Sequence, residues 1–156
     1  MIVLHPMKKG EEQDTYDLII RVFREHVAPV YSENGVAKFL SMLSPNRLNE
    51  MKNGKNSFVI LAKNQSRLIG MLAVINKSHI ALIFVDSNYQ GKSIGKRLIN
   101  EATKTCLKRY PELTAMTVSS SPNSKLFYEA AGFAIQENEL DEDGMRFTPM
   151  RKPIRR

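Results

Sequence analysis

The chain of 156 residues has one cysteine, Cys106, and no tryptophan. A lone cysteine excludes an internal disulfide and any cysteine-built zinc cage. The longest uninterrupted apolar run, Ile80 to Val85, is six residues, far short of the roughly 20 that a membrane-spanning helix needs. Near the start, Ile2-Val3-Leu4 meets His5, Pro6 and then Lys8-Lys9, too short for the apolar segment of a secretory signal. The expected address is therefore a reducing cytoplasm. No repeat, low-complexity tract or proline-rich linker divides the sequence. One domain over residues 1–156 is expected, ending in a basic tail over 151–156. A chain of this size buries roughly two-thirds of its unfolded surface and needs no staple.

What is present is positive charge, a net +7. It is uneven. Residues 91–109 hold Lys92, Lys96, Arg97, Lys104, Lys108 and Arg109 against Glu101 alone, and Arg151 to Arg156 adds four more basic residues. Glu137 to Asp143 holds five acids and no base. Such a distribution fits a nucleic-acid face, a phosphate-bearing cofactor or a solvated surface, and composition does not choose among them. Against nucleic acid, the basic residues lack interleaved aromatics, and no helix-turn-helix or zinc-finger spacing is present.

Periodicity and breakers predict the order β-α-α-β-β-β-α-β-α-β-β. Met1 to His5 reads as a strand. Asp14 to Ala28 reads as a helix through Tyr16, Ile19, Ile20, Phe23 and Val27, with Pro29 ending it. A second helix starts after Ser32-Glu33, Ser44-Pro45 breaks it, and Arg47 to Met51 adds a turn or two. Ser57–Ala62 and Leu68–Ile75 form a hairpin about Lys63 to Ser66. Ile80 to Val85 reads as a strand covered on both faces. Ser93 to Arg109 is a long amphipathic helix with Ile94, Leu98, Ala102 and Cys106 on one stripe. Structural packing, not nucleophilic duty, is the expected role of Cys106. Leu113–Val118 is a strand, and Pro122–Ala131 is a helix stopped by Gly132. Phe133–Leu140 and Met145–Met150 are strands about the turn Asp141 to Gly144.

The chemistry concentrates where the apolar strand feeds Asp86-Ser87-Asn88-Tyr89-Gln90-Gly91-Lys92-Ser93-Ile94-Gly95-Lys96-Arg97. A helix N-terminus offers unpaired N–H groups and partial positive charge, a ready phosphate site. Gly91 and Gly95 let a diphosphate approach without meeting a Cβ. A nucleotide-hydrolase P-loop fails, because Asp86 or Gln90 stands where its first glycine belongs.

Gln90-Gly91-Lys92-Ser93-Ile94-Gly95 instead resembles the Gln/Arg-x-x-Gly-x-Gly/Ala pyrophosphate loop of the GNAT superfamily of acetyl-CoA-dependent N-acyltransferases. The resemblance extends to the preceding strand and to Phe127-Tyr128-Glu129-Ala130-Ala131-Gly132-Phe133, similar to the family's Phe-Tyr-x-x-x-Gly-Phe signature. It implies an α/β GNAT fold. The sheet would be mixed and mostly antiparallel, of about seven strands, with helices on both faces and a splayed central strand pair. It also implies acetyl-CoA as co-substrate without a metal, and direct transfer in a ternary complex to a small-molecule or peptide amine. A homodimer is plausible for the family. Nucleic-acid binding and a catalytically silent acetyl-CoA-binding protein are the alternatives.

By the same resemblance, Phe84, Val85, Gln90, Gly91, Lys92, Ser93, Ile94, Gly95, Lys96, Ser121, Asn123, Phe127 and Tyr128 bind the cofactor. The Phe84–Val85 main chain takes the pantetheine arm and supplies an oxyanion donor. Tyr128 protonates the departing thiolate; a phenol of pKa near 10 keeps its proton while a thiolate of pKa about 8.5 leaves. Asp86 and His79 are the candidate bases, against the plainer readings that Asp86 caps or turns the loop and His79 is a strand-end residue bonded to a turn. Ser93 replaces the first motif glycine, and its hydroxyl is expected to donate to phosphate or cap the helix. Ser121 replaces a cofactor-binding asparagine, with Asn123 two residues on. The first two helices and the C-terminal hairpin, supplying Phe23, His26, Tyr31, Phe39, Phe147 and the acidic run, shape the acceptor pocket, with Phe23 and Phe39 expected to be core residues instead. That run suits a polyamine, an aminoglycoside or a lysine-bearing peptide. His5 and His26 lack partners at ligand spacing, so no metal site is expected.

Overall fold

The computed structural model describes residues 1–154. In order the chain forms β1 (Ile2–Pro6), α1 (Glu12–His26), α2 (Glu33–Ser41), α3 (Pro45–Asn53), β2 (Phe58–Asn64), β3 (Arg67–Ile75) and β4 (His79–Val85). Then come α4 (Ile94–Arg109), β5 (Ala115–Ser120), α5 (Lys125–Ala130), β6 (Ala134–Ile135), β7 (Leu140–Glu142) and β8 (Met145–Pro153). Short 3-10 turns lie at Ala28–Val30 and Ser87–Tyr89. The described residues form one eight-stranded sheet in the order β1-β2-β3-β4-β5-β8-β6, with β7 pairing β8. Only β4 and β5 run parallel; every other pair is antiparallel.

Two apolar cores sandwich this sheet. One packs Ile60, Leu72 and Ile80 against Leu98, Ile99, Ala102 and Cys106 of α4 and Tyr128 of α5. The other packs Leu61, Met71, Leu82 and Phe84 against Leu18, Ile19, Val22 and Phe23 of α1 and Leu48 of α3. The expected stripe of α4 is thus its buried face. Burial raises the Cys106 thiol pKa to about 11, so it stays a protonated packing group.

Local chemistry explains most element ends. Ser44-Pro45, expected as a break, also starts a helix: Ser44 Oγ accepts the Arg47 N–H at 3.0 Å and proline takes the first helical position. Asp143 and Gly144, with φ of 56° and 92°, make the two-residue turn joining β7 to β8. The expected strand Phe133–Leu140 is split into β6 and β7. Its middle, Gln136-Glu137-Asn138-Glu139, has no apolar residue to bury. Of the expected basic tail, Arg151 to Pro153 close β8, and Arg155 and Arg156 lie outside the described residues.

The end of α5 sets up the site. Gly132 takes φ +98°. Its N–H donates to the Glu129 carbonyl, and the Phe133 N–H donates to the Tyr128 carbonyl at 2.9 Å. This is a Schellman stop, in which an apolar contact joins the residue after the glycine to the last turn. Here that contact is Phe133 on Tyr128, edge-on with ring centroids 5.6 Å apart. Gly132→Ala forces a Cβ into the left-handed region and against Lys152 Cε at 3.0 Å. We expect a loss of about 1–2 kcal/mol, read as a lowered midpoint in urea unfolding with unchanged slope.

Candidate active site

One extra residue opens the sheet. In the β3–β4 register Ala73 faces Leu82 but Val74 faces Ile80, leaving Ala81 unpaired as a bulge. A bulge bends and over-twists its strand. Beyond it β4 leaves β5: the only registered pairs between them are His79 with Thr117 and Ile80 with Val118. The Asp86 N–H donates to the Ile69 carbonyl at 2.8 Å. Strand alternation then directs the Phe84 N–H to β3 and the Val85 N–H into the gap. This corrects the expectation for Phe84: its amide belongs to the sheet, and Val85 carries the free one. The Val85 carbonyl accepts from Gln90 Nε2 at 3.1 Å.

The gap is the middle of a cavity of about 590 Å³. One end is the turn into α4. The first helical bond runs from the Arg97 N–H to the Ser93 carbonyl, so the amides of Ile94, Gly95 and Lys96 have no helical partner. Gly91 at φ +80° has no atom within 4 Å of where a Cβ would stand. Ser93 also sits left-handed, at φ 63°. Alternating left- and right-handed backbone turns amides toward a common centre. The arrangement fits a diphosphate. The expected helix cap is not formed, since the Ser93 side chain makes no capping hydrogen bond. Gly95 serves a different neighbour than expected: a Cβ there would meet the Phe127 ring at 2.8 Å. It lets α5 close against α4.

Most expected cofactor residues line this cavity: Phe84, Val85, Gln90, Gly91, Ser93, Ile94, Gly95, Lys96, Ser121, Asn123, Phe127 and Tyr128. Of the described residues, Lys92 stands outside the wall, its ammonium 5.4 Å over the Tyr89 ring. Two arginines of the basic helix are also engaged, Arg97 with the Ile2 carbonyl and Arg109 with that of Ser57.

Tyr128 is buried, flanked edge-on by Phe127 at 5.1 Å and by Phe133. Burial raises its pKa well above that of a free phenol. Among the described residues its hydroxyl has no hydrogen-bond partner.

The other end of the cavity is built by α1 and α2. Val22, Phe23, His26, Val27, Tyr31 and Phe39 line it. Phe23 and Phe39 stack at 3.9 Å, and Phe39 meets Phe84 edge-on at 6.3 Å. Phe147 and the acidic run, expected here, are elsewhere in the hairpin β7–β8. Asp143 pairs with Lys38 at 2.8 Å, Glu139 pairs with Arg146 at 3.0 Å, and Asp141 accepts the Gly144 N–H.

Both expected bases are corrected. Asp86 is 3% exposed, and its oxygens are taken by Arg21 Nη2 at 2.8 Å and the Asn88 N–H at 2.9 Å. It anchors the turn after β4. His79 stands at the far end of β4, with Nδ1 2.8 Å from Thr117 Oγ1. Of the described residues, neither lines the cavity. Sequence reasoning missed the contacts of His26, whose Nε2 lies 3.0 Å from Ser87 Oγ and whose carbonyl accepts from Asn123 Nδ2 at 2.6 Å. Nothing in local spacing signals them, since Ser87 and Asn123 are 61 and 97 residues away.

A family model described as an acetyltransferase (GNAT) domain matches residues 27–154. The chain belongs to the GNAT acetyltransferase family. These enzymes take the acetyl group from acetyl-CoA and place it on an amine. Solved structures share the fold of this acetyltransferase over nearly its whole length. A GCN5-related N-acetyltransferase from Rhodopseudomonas palustris is 21% identical with a TM-score of 0.81, covering 97% of this chain and 95% of the other. The PaiA N-acetyltransferase from Thermoplasma acidophilum, in complex with coenzyme A, is 20% identical at 0.80, covering 99% of each. An aminoglycoside 6'-N-acetyltransferase complexed with coenzyme A is 16% identical at 0.73, covering 99% and 98%. No described helix of the acetyltransferase is long and apolar enough to cross a membrane.

Two predictions follow from the geometry. Left-handed Ser93 costs roughly 1–2 kcal/mol, against about 0.5–1 for the extra freedom of glycine. Ser93→Gly should therefore gain about 0.5–1 kcal/mol, seen as a higher thermal midpoint. Burial lowers the His79 pKa below its ordinary value, so the folded state binds fewer protons than the unfolded chain. Stability at His79 is full above the unfolded pKa near 6.5 and is lost as pH falls from there toward the folded value. His79→Gln should flatten this part of the midpoint-against-pH curve.

Proposed function

We propose that the protein transfers acetyl from acetyl-CoA to the primary amine of a molecule with an apolar or aromatic body. The observation that carries this reading is one continuous cavity. Its polar end is lined by unpartnered amides of α4, its middle by the free Val85 N–H and Tyr128, and its far end by Phe23, Val27, Tyr31 and Phe39. Acetyl-CoA, when bound, supplies the activated acetyl thioester. The α4 amides and Lys96 hold its diphosphate. The Val85 N–H is placed to stabilise negative charge developing on the carbonyl oxygen. Tyr128 keeps its proton at neutral pH, because burial disfavours phenolate, and gives it to the leaving sulfur.

The acceptor follows from what lines the far end. Of the described lining residues, none is an aspartate or glutamate; in the acidic run, outside that lining, Asp143 pairs with Lys38 and Glu139 with Arg146. A polycation would be desolvated there without a counter-charge, whereas an aryl or alkyl body is welcome.

Acetyl-CoA at 100 times its dissociation constant should stabilise the protein by about 2.7 kcal/mol, roughly 5–10 °C in thermal midpoint. No shift at millimolar acetyl-CoA overturns the reading. Tyr128→Phe should keep the shift while lowering kcat about 100-fold or more. In a panel, phenethylamine should outcompete spermidine in kcat/KM; the reverse order sinks the acceptor class.

A further inference from the structure

We infer that His26 is the base that takes a proton from the acceptor amine, held in one tautomer by Ser87 and Glu25. The inference rests on the acetyltransferase reading of the same cavity. Among the described residues that line the cavity, the titratable side chains are His26, Tyr31, Tyr89, Lys96 and Tyr128. A phenol and an ammonium are already protonated at neutral pH. Only the imidazole accepts a proton there. It belongs to the last turn of α1, beside Phe23 and Val27 on the acceptor wall.

The tautomer follows from counting hydrogens. Ser87 Oγ donates its proton to Glu25 Oε2 in a close contact. A hydroxyl has one proton, so toward His26 Nε2, at 3.0 Å, the same oxygen is an acceptor. Nε2 then carries the hydrogen and Nδ1 the lone pair. Among the described residues Nδ1 has no partner. Glu25 Oε2 lies 3.7 Å from Nε2. Ser87 and Glu25 are thus positioning residues. Asn123 ties the base to the acid by donating to the His26 carbonyl from the turn just before α5, the helix of Tyr128.

The protons balance. As the nitrogen–carbon bond forms and the carbon–sulfur bond breaks, two protons leave the ammonium nitrogen. His26 takes one and releases it to solvent, its side chain being 43% exposed. The other replaces the proton that Tyr128 gives to sulfur.

Two measurements on the full chain test this. In nitrogen-15 NMR of the labelled protein, His26 should carry its hydrogen on Nε2, and Ser87→Ala should bring a mixture of tautomers. An Nδ1–H form in the wild type overturns the proposal. This measurement needs no acceptor and decides even if the amines below are refused. The second uses phenethylamine, protonated at neutral pH, and the near-isosteric O-benzylhydroxylamine, already neutral. His26→Gln should lose about 100-fold or more in kcat/KM on the first and less than about threefold on the second. Equal losses on both mark a structural role and overturn the proposal. A wild type that gives no heat with acetyl-CoA in calorimetry overturns the acetyltransferase reading itself.

Discussion

The unpaired Ala81 in β4 is the constraint on which the rest of the molecule's chemistry depends. With it, pairing stops after Ile80 and Val118, and a main chain that a sheet would normally use up is left with a free donor at Val85. The bulge also reverses the facing of side chains. Leu82 and Phe84 enter the core beneath α1, while Ile83 and Val85 pack on the α4 side. One inserted residue thus makes both the gap and its apolar walls.

A gap between strands is useful only if its edges hold still. On one edge, Asp86 fastens the turn after β4 by binding Arg21, the Asn88 amide and, through its own N–H, Ile69. A buried carboxylate needs such partners. On the other edge, the Schellman stop at Gly132 and the Phe127 contact at Gly95 leave α5 little freedom. On the proposed function, the groups that would meet the co-substrate are thus held by the fold itself, which lowers the cost of ordering them.

Much of this was legible in the sequence where the signal is short. Gln90 to Gly95 and Phe127 to Phe133 each specify a turn, a helix end and a conformation within a few residues. Both sit where the motifs place them. The apolar stripe of α4 and the glycine stop of α5 are equally local. Other readings missed because a neighbour distant in sequence decided them. Asp86 stood as a candidate base until Arg21 arrived from 65 residues away. Gly95 looked like room for phosphate until Phe127 filled it. The Glu137–Asp143 run was read without its partners, and Lys38, from α2, meets Asp143.

The sequence by itself determined the family, the element types and the turn proposed to bind phosphate. Each follows from backbone preferences and side-chain periodicity that act over one or two turns of chain. Tertiary structure alone decided which amide of β4 is free, which polar residues are spent on scaffolding, and which partners His26 meets. Those outcomes depend on register and on contacts between segments far apart in sequence, and no local preference encodes them.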